Sequence, residues 1–182
     1  MLLSTLVPIV KQRFFLLSAL MLIIAGATPA IAQNGVFGSH GGFDIFFNTP
    51  RRLLIETGRC PRCDLARLDL PDADLPQADL TAADLRHANL SGSNLRDASF
   101  RFANLENADL RDTNLQDASF REANLEAADL RNANLESVYL GDAKLARANL
   151  TGANVSLVNL ENAQYCETIM PDGSLRNDDC DR

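Results

Sequence analysis

The sequence predicts an all-β solenoid, a four-sided coil with apolar residues stacked along its axis. Three observations carry this. An apolar anchor recurs at every fifth position from Leu65 to Tyr165, 21 times without a break in phase. That period fits neither regular element. One stretch also returns nearly unchanged twenty residues later.

The anchors are Leu except at Phe100, Phe120, Val155 and Tyr165. Two residues before most of them stands a small residue, usually Ala (Ala73, Ala78, Ala83, Ala88, Ala98). The residue between is mostly Asp, Asn or Ser, and the two that follow are mostly polar. A helix advances about 100° per residue, so anchors five apart would lie about 140° apart and form no stripe. A straight strand alternates faces, so an odd period would throw successive anchors to opposite sides. The pattern works if the chain turns a corner in each repeat. A small and a large residue then point inward, and the polar pair makes the corner.

The number of corners follows from residues 97–115 and 117–135, which agree at 15 of 19 positions. Twenty residues are four repeats, so four sides close one coil. The column containing both Phe anchors reads Leu80, Phe100, Phe120, Leu140, Leu160. The two rings are expected to stack inside, with Leu above and below. Strand spacing of ~4.8 Å makes five coils a rod of roughly 25 Å.

These residues resemble the pentapeptide-repeat family, whose motif is A(D/N)LXX. ADL at 73–75, 78–80, 83–85, 108–110 and 128–130 fits it, as does ANL at 88–90, 103–105, 123–125, 133–135 and 148–150. The resemblance covers 63–165 and implies a right-handed quadrilateral β-helix of about five coils. Cys63, Leu68, Ser93, Thr113, Val138 and Val158 depart from the inward Ala, and Tyr139, Lys144 and Gln164 from the residue between.

Segments on either side supply the ends. Residues 1–32 have the layout of a secretory signal: Lys11 and Arg13 are its charges, 14–27 is apolar, and Ala30-Ile31-Ala32 precedes Gln33. The apolar run is shorter than the ~20 residues that span a bilayer, so cleavage is expected rather than stable membrane insertion. Losing Lys11 and Arg13 takes the net charge from −7 to −9. Residues 33–62 are read as a flexible, Gly-rich start followed by a capping helix. In that helix Thr49 is the N-cap, Pro50 opens the first turn and Gly58 is the stop. Leu53, Leu54 and Ile55 are available to cover the first coil, with Phe43, Ile45, Phe46 and Phe47 adding to the lid. Residues 166–182 form the other cap, a turn at Met170-Pro171-Asp172-Gly173 between short apolar arms. TGRCPRCDL at 57–65 and YCETIMPDGSLRNDDC at 165–180 look like the flanks of exported, cyanobacterial-type members of the family.

Four Cys allow three pairings. Disulfides need Cα atoms about 4.4–6.8 Å apart. Cys60 and Cys63 fall at one end of the rod and Cys166 and Cys180 at the other, so the expected bonds are Cys60–Cys63 and Cys166–Cys180. Cys60-Pro61-Arg62-Cys63 also has redox spacing, but no βαβ context surrounds it and Cys63 takes an inward position. Zinc would need four ligands, and the second pair of Cys is out of reach.

Composition excludes a collagen, a polytopic membrane protein and a charge-dominated disordered chain. The acidic balance argues against nucleic-acid binding. Residues 63–165 hold 17 acids and nine bases, with 63–85 the most acidic stretch. No Ser/His/Asp set, phosphate loop or metal cluster can be assembled, so neither an enzyme nor a cofactor is expected. His40 lies in the Gly-rich start and His87 faces outward. Phe102, Tyr139 and Leu157 are apolar or aromatic residues at outward positions and are the candidate protein-binding residues. The leading expectation is an exported structural or protein-binding rod in the periplasm or thylakoid lumen, its partner an unidentified protein. Two alternatives stand beside it. One is an acidic DNA mimic inhibiting a type II topoisomerase, which export disfavours. The other is a thiol–disulfide oxidoreductase through Cys60 and Cys63.

Overall fold

The computed structural model describes residues 49–180. Residues 1–32, read above as a secretory signal, the Gly-rich start with His40, and Phe43, Ile45, Phe46 and Phe47 lie outside the described residues.

The five-residue pattern winds into a β-solenoid. Single-residue parallel bridges link each side to the side twenty residues on, from Arg59↔Asp79 through Ser99↔Ser119 to Asn149↔Ile169. Four stacked sides result, named here by their inward anchors. Side A carries Leu80, Phe100, Phe120, Leu140 and Leu160. Side B begins at Leu65, side C at Leu70 and side D at Leu75. Backbone hydrogen bonds run from coil to coil, as from Leu105 N–H to the Asn124 carbonyl at 2.7 Å and from Asn124 N–H to the Ala103 carbonyl at 2.9 Å.

The corner explains how five residues suffice. Its second residue sits at positive φ throughout, between +54° at Glu167 and +73° at Gly152. Twenty non-glycine residues do so, including Ala82, Asn107 and Ala127. At Gly152 a Cβ would lie 2.6 Å from the Asn132 side chain one coil below, so this position needs Gly for both space and backbone freedom.

Inside, the small and large residues of each side form one continuous core, with Ala78 to Ala148 and Leu80 to Leu145 almost wholly buried. The Phe100 and Phe120 rings stack with centroids 4.6 Å apart and planes 4° from parallel. Ser93 and Thr113 replace Ala inside and are satisfied locally. The Ser93 hydroxyl accepts the Ala73 N–H at 3.0 Å, and the Thr113 hydroxyl donates to the Leu110 carbonyl at 2.6 Å.

The ends differ in part from expectation. Helix α1 (Pro50–Thr57) starts at Thr49, whose hydroxyl accepts the Arg52 N–H, and stops at Gly58 with φ +69°. Of its three apolar residues Leu54 alone is buried, while Leu53 and Ile55 stay exposed because two turns of helix turn only one stripe inward. Pairing begins at Arg59, and Cys60 already takes a buried anchor position, one repeat before Leu65. At the other end residues 167–169 keep the repeat conformation. Strand β1 (Thr168–Ile169) then pairs antiparallel with β2 (Leu175–Arg176) across a turn closed by Gly173 N–H and the Met170 carbonyl. Cys60 joins Cys63 with Cα atoms 5.4 Å apart, and Cys166 joins Cys180 at 4.7 Å.

Not every anchor is buried. Val155 is 37% and Leu160 36% exposed, because no described residue is bridged onto sides D and A beyond Asn154 and Asn159. Leu105→Ala is therefore expected to cost about 2–5 kcal/mol in urea unfolding. Leu160→Ala is expected to cost under about 1 kcal/mol. Equal losses at the two positions would contradict the packing described.

Candidate functional site

The outward residue in the middle of each side sets the chemistry of that face. On sides B, C and D it is almost always Asp or Asn, and its side chain does two jobs. The oxygen accepts the N–H of the first corner residue, as Asn104 does from Glu106 at 3.2 Å and Asp109 from Arg111 at 3.1 Å. An Asn amide also donates one coil down. On side D, Asn94, Asn114, Asn134 and Asn154 form such a ladder ending on Asp74.

Arginines on these faces are held by the same residues. Arg86 bonds Asp84, Arg111 bonds Asp109 and Arg131 bonds Asp129, each at 2.6 Å and each two residues apart. The guanidinium donating to its carboxylate lowers the pKa of Asp84, overcoming the opposing effect of burial, and Asp109 is lowered by Arg111 in the same way.

Side A is different. Asp79 and Asn159 sit near its two ends, but between them come Ser99, Ser119 and Tyr139. The amide ladder is missing there, and the two serines are too short to fill the face. The arginines that follow, Arg101 and Arg121, have no carboxylate two residues before them. Arg101 lies 5.5 Å from the Phe102 ring centroid, and Arg121 reaches its neighbour Glu122 at 3.6 Å. One coil further on, the same corner position is Gly141, and the next is Glu161.

The result is a surface groove of about 640 Å³ along side A. Ser119 and Tyr139 line its floor, Arg101 and Arg121 one end and Glu161 the other, with Asp142 on the coil of Tyr139 next to Glu161. Asp117 also lines it, and faces Arg96 at 3.6 Å.

Tyr139, 58% exposed, lies in this groove. Phe102 and Leu157 do not line it. They stand at positive-φ corner positions, Phe102 in the column after side A and Leu157 in the column before it. The three candidate residues thus border one face, and Leu157 is 82% exposed. Composition did not single out Arg101 and Arg121. The readable signal was Ser-Phe-Arg at 99–101 and 119–121 against Asp-Leu-Arg at 84–86, 109–111 and 129–131. Among the described residues no group of three or more His, Cys, Asp or Glu could hold a metal ion, and no helix is long and apolar enough to cross a membrane.

A family model described as pentapeptide repeats matches residues 62–97, 98–136 and 128–164. A crystal structure of a pentapeptide repeat protein from the cyanobacterium Cyanothece 51142 is similar at 29% identity with a TM-score of 0.65, over 66% of this chain and 97% of that one. A pentapeptide repeat protein of the Arabidopsis thaliana thylakoid lumen shares 28% identity over 68% of this chain and 73% of its own, with a TM-score of 0.29. HetL of Nostoc sp. strain PCC 7120, involved in heterocyst differentiation regulation, shares 28% identity over 65% and 70%, with a TM-score of 0.30. No curated protein matches the chain significantly.

The lowered carboxyls make a pH prediction. Asp84 and Asp109 sit below the ordinary 3.8 when folded. Their contribution is therefore complete above the unfolded value and is lost as pH falls through the folded one. The melting temperature is expected to hold from pH 7 to 5 and to drop below pH 4. Replacing Asp109 with Asn should shrink that drop. These pairs are partly solvated, so high salt should weaken the effect.

Proposed function

Because the chain belongs to the pentapeptide-repeat family, which puts it among structural and interaction proteins rather than enzymes, we propose that it is an exported protein-binding solenoid that docks its partner on side A. One observation carries this: Tyr139 stands exposed in a groove lined by two arginines and three acids, on a face that lacks the side-chain ladder covering its neighbours. Exposed Tyr and Arg side chains close together are the residue types enriched at protein contacts, with polar groups at the rim. The acidic field needed to imitate DNA is broken on sides B and C by Arg86, Arg111 and Arg131, which favours a protein partner of mixed charge.

The proposal includes the chain's organisation. Residues 1–32 act as a signal removed on export to the periplasm or thylakoid lumen, and no membrane insertion or nucleic-acid binding follows. Residues 33–62 form the entry and N-terminal cap, 63–165 a right-handed β-helix of about five coils, and 166–182 the C-terminal cap. The bonds Cys60–Cys63 and Cys166–Cys180 are structural staples of these caps, consistent with an oxidising compartment.

Two experiments test this reading. A photo-crosslinking residue at Tyr139 is expected to give a discrete protein adduct in the exported fraction, on a chain beginning at Gln33. The same residue at Asn114 on side D is expected to give none. Equal labelling from both sites, or an unprocessed chain outside the exported fraction, overturns the proposal. For the staples, Cys166→Ser/Cys180→Ser should cost about 3 kcal/mol and Cys60→Ser/Cys63→Ser about 2, following the lengths of the loops they close. Insulin-reducing activity in the intact protein would instead favour redox chemistry at Cys60 and Cys63.

A further inference from the structure

The groove on side A carries more information than its existence. Its corner column reads Arg101, Arg121, Gly141, Glu161, one residue per coil. Charge is therefore graded along the coil-stacking direction: two guanidiniums at one end, Asp142 beside Gly141 on the next coil, then Glu161, while Asp117 at the arginine end is drawn to Arg96 at 3.6 Å and Arg121 also touches Glu122 at 3.6 Å. Among the described residues no ion pair joins Arg101, Asp142 or Glu161 to an opposite charge. Gly141 leaves the middle open, and Tyr139 occupies the floor there.

Distances decide what fits. Coils stack at ~4.8 Å, so Glu161 lies about 12 Å along the stack from the midpoint of Arg101 and Arg121. In an extended peptide, residues on one face are about 6.7 Å apart at i and i+2 and about 13 Å apart at i and i+4. The middle residue then falls over Tyr139.

Resting on the protein-binding reading and deepening it, the geometry points to an extended peptide segment of the partner as the occupant of this groove, with an acidic residue at i, an apolar or aromatic residue at i+2 and a basic residue at i+4. The carboxylate sits between Arg101 and Arg121, where two guanidiniums can bind it bidentately. The middle side chain packs on the Tyr139 ring. The ammonium or guanidinium meets Glu161 and Asp142. The peptide lies in either direction, since side-chain placement rather than backbone pairing selects it. A segment with two acids or two bases puts one like charge against the groove, which is penalised more than a missing contact.

Fluorescence anisotropy with three labelled synthetic nonapeptides tests this. They share a Thr/Ser background and carry at positions 3, 5 and 7 either Glu-Phe-Lys, Glu-Phe-Glu or Lys-Phe-Lys. The Glu-Phe-Lys probe is expected to bind at least tenfold more tightly than the other two. In Arg101→Glu/Arg121→Glu the preference should pass to Lys-Phe-Lys, and in Glu161→Arg to Glu-Phe-Glu. Opposite reversals in two surface variants cannot arise from unfolding. Equal binding of all three probes, or an unchanged order in either variant, overturns the charge rule. If the crosslink from Tyr139 persists in that case, protein binding stands and this inference alone fails. If neither crosslink nor probe binding is seen, both fail.

Discussion

Each side of this solenoid depends on a residue held in the left-handed region. Without it the chain could not turn after three extended residues, and the small and large inward positions would not return to the axis. Such a conformation costs a non-glycine residue of order 1 kcal/mol or more. Gly92 and Gly152 are the only repeat corners that avoid this. The remainder is offset by what the turn makes possible: coil-to-coil hydrogen bonds on every side and a core in which most anchors lose all contact with water. The corners and the core are therefore one cooperative system. A single coil has the strain of its corners without partners above and below, so stability has to come from stacking.

The same geometry fixes the outer surface. A corner N–H two residues beyond the middle position needs an acceptor, and Asp or Asn supplies one at the right reach. Asn adds a donor that reaches the next coil. The family preference for Asp or Asn there is thus a consequence of the backbone turn rather than of solubility. It also explains why side A can do something else. Where Ser99, Ser119 and Tyr139 replace that residue, the corner arginines lose the carboxylate two residues before them, Arg121 keeping only a longer contact to Glu122 at 3.6 Å, and the face loses its ladder. A departure from the repeat therefore creates both a shallow space and loosely held charge in one place.

The fold was legible because its signal repeats 21 times. One Leu every five residues means little; an unbroken series with a near-copy at twenty leaves few geometries. The stack of Phe100 on Phe120 followed from that lag alone. The left-handed corners were written in the sequence too. From Arg62 to Glu167 none of the positive-φ positions holds Val, Ile or Thr, and Asp or Asn fills eight of the twenty non-glycine ones. That is a steric filter acting on one position in five. The groove was harder to see. Phe102, Tyr139 and Leu157 could be marked as irregular one by one. Their shared face depends on counting modulo twenty, and the role of Arg101 and Arg121 on a comparison with the residue two places before.

Burial at the ends was the part least accessible to pattern. Leu160 holds the same repeat position as Leu140, one coil on, and each follows a Val two residues before, yet one is a third exposed and the other is buried. The difference is position in the stack: Leu140 has a coil on both sides, whereas the chain beyond Cys166 turns into the β1–β2 hairpin over sides B and C. There Thr168 is buried and donates to the Leu145 carbonyl at 2.7 Å, and Arg176 lies 3.9 Å from the Tyr165 ring centroid. A five-residue motif encodes which way a side chain points. Whether that direction is dry depends on what the next twenty residues do. At side A, where they supply nothing, the open end and the groove with Tyr139 share one face, so the region least covered by the chain itself is also the one that carries graded charge.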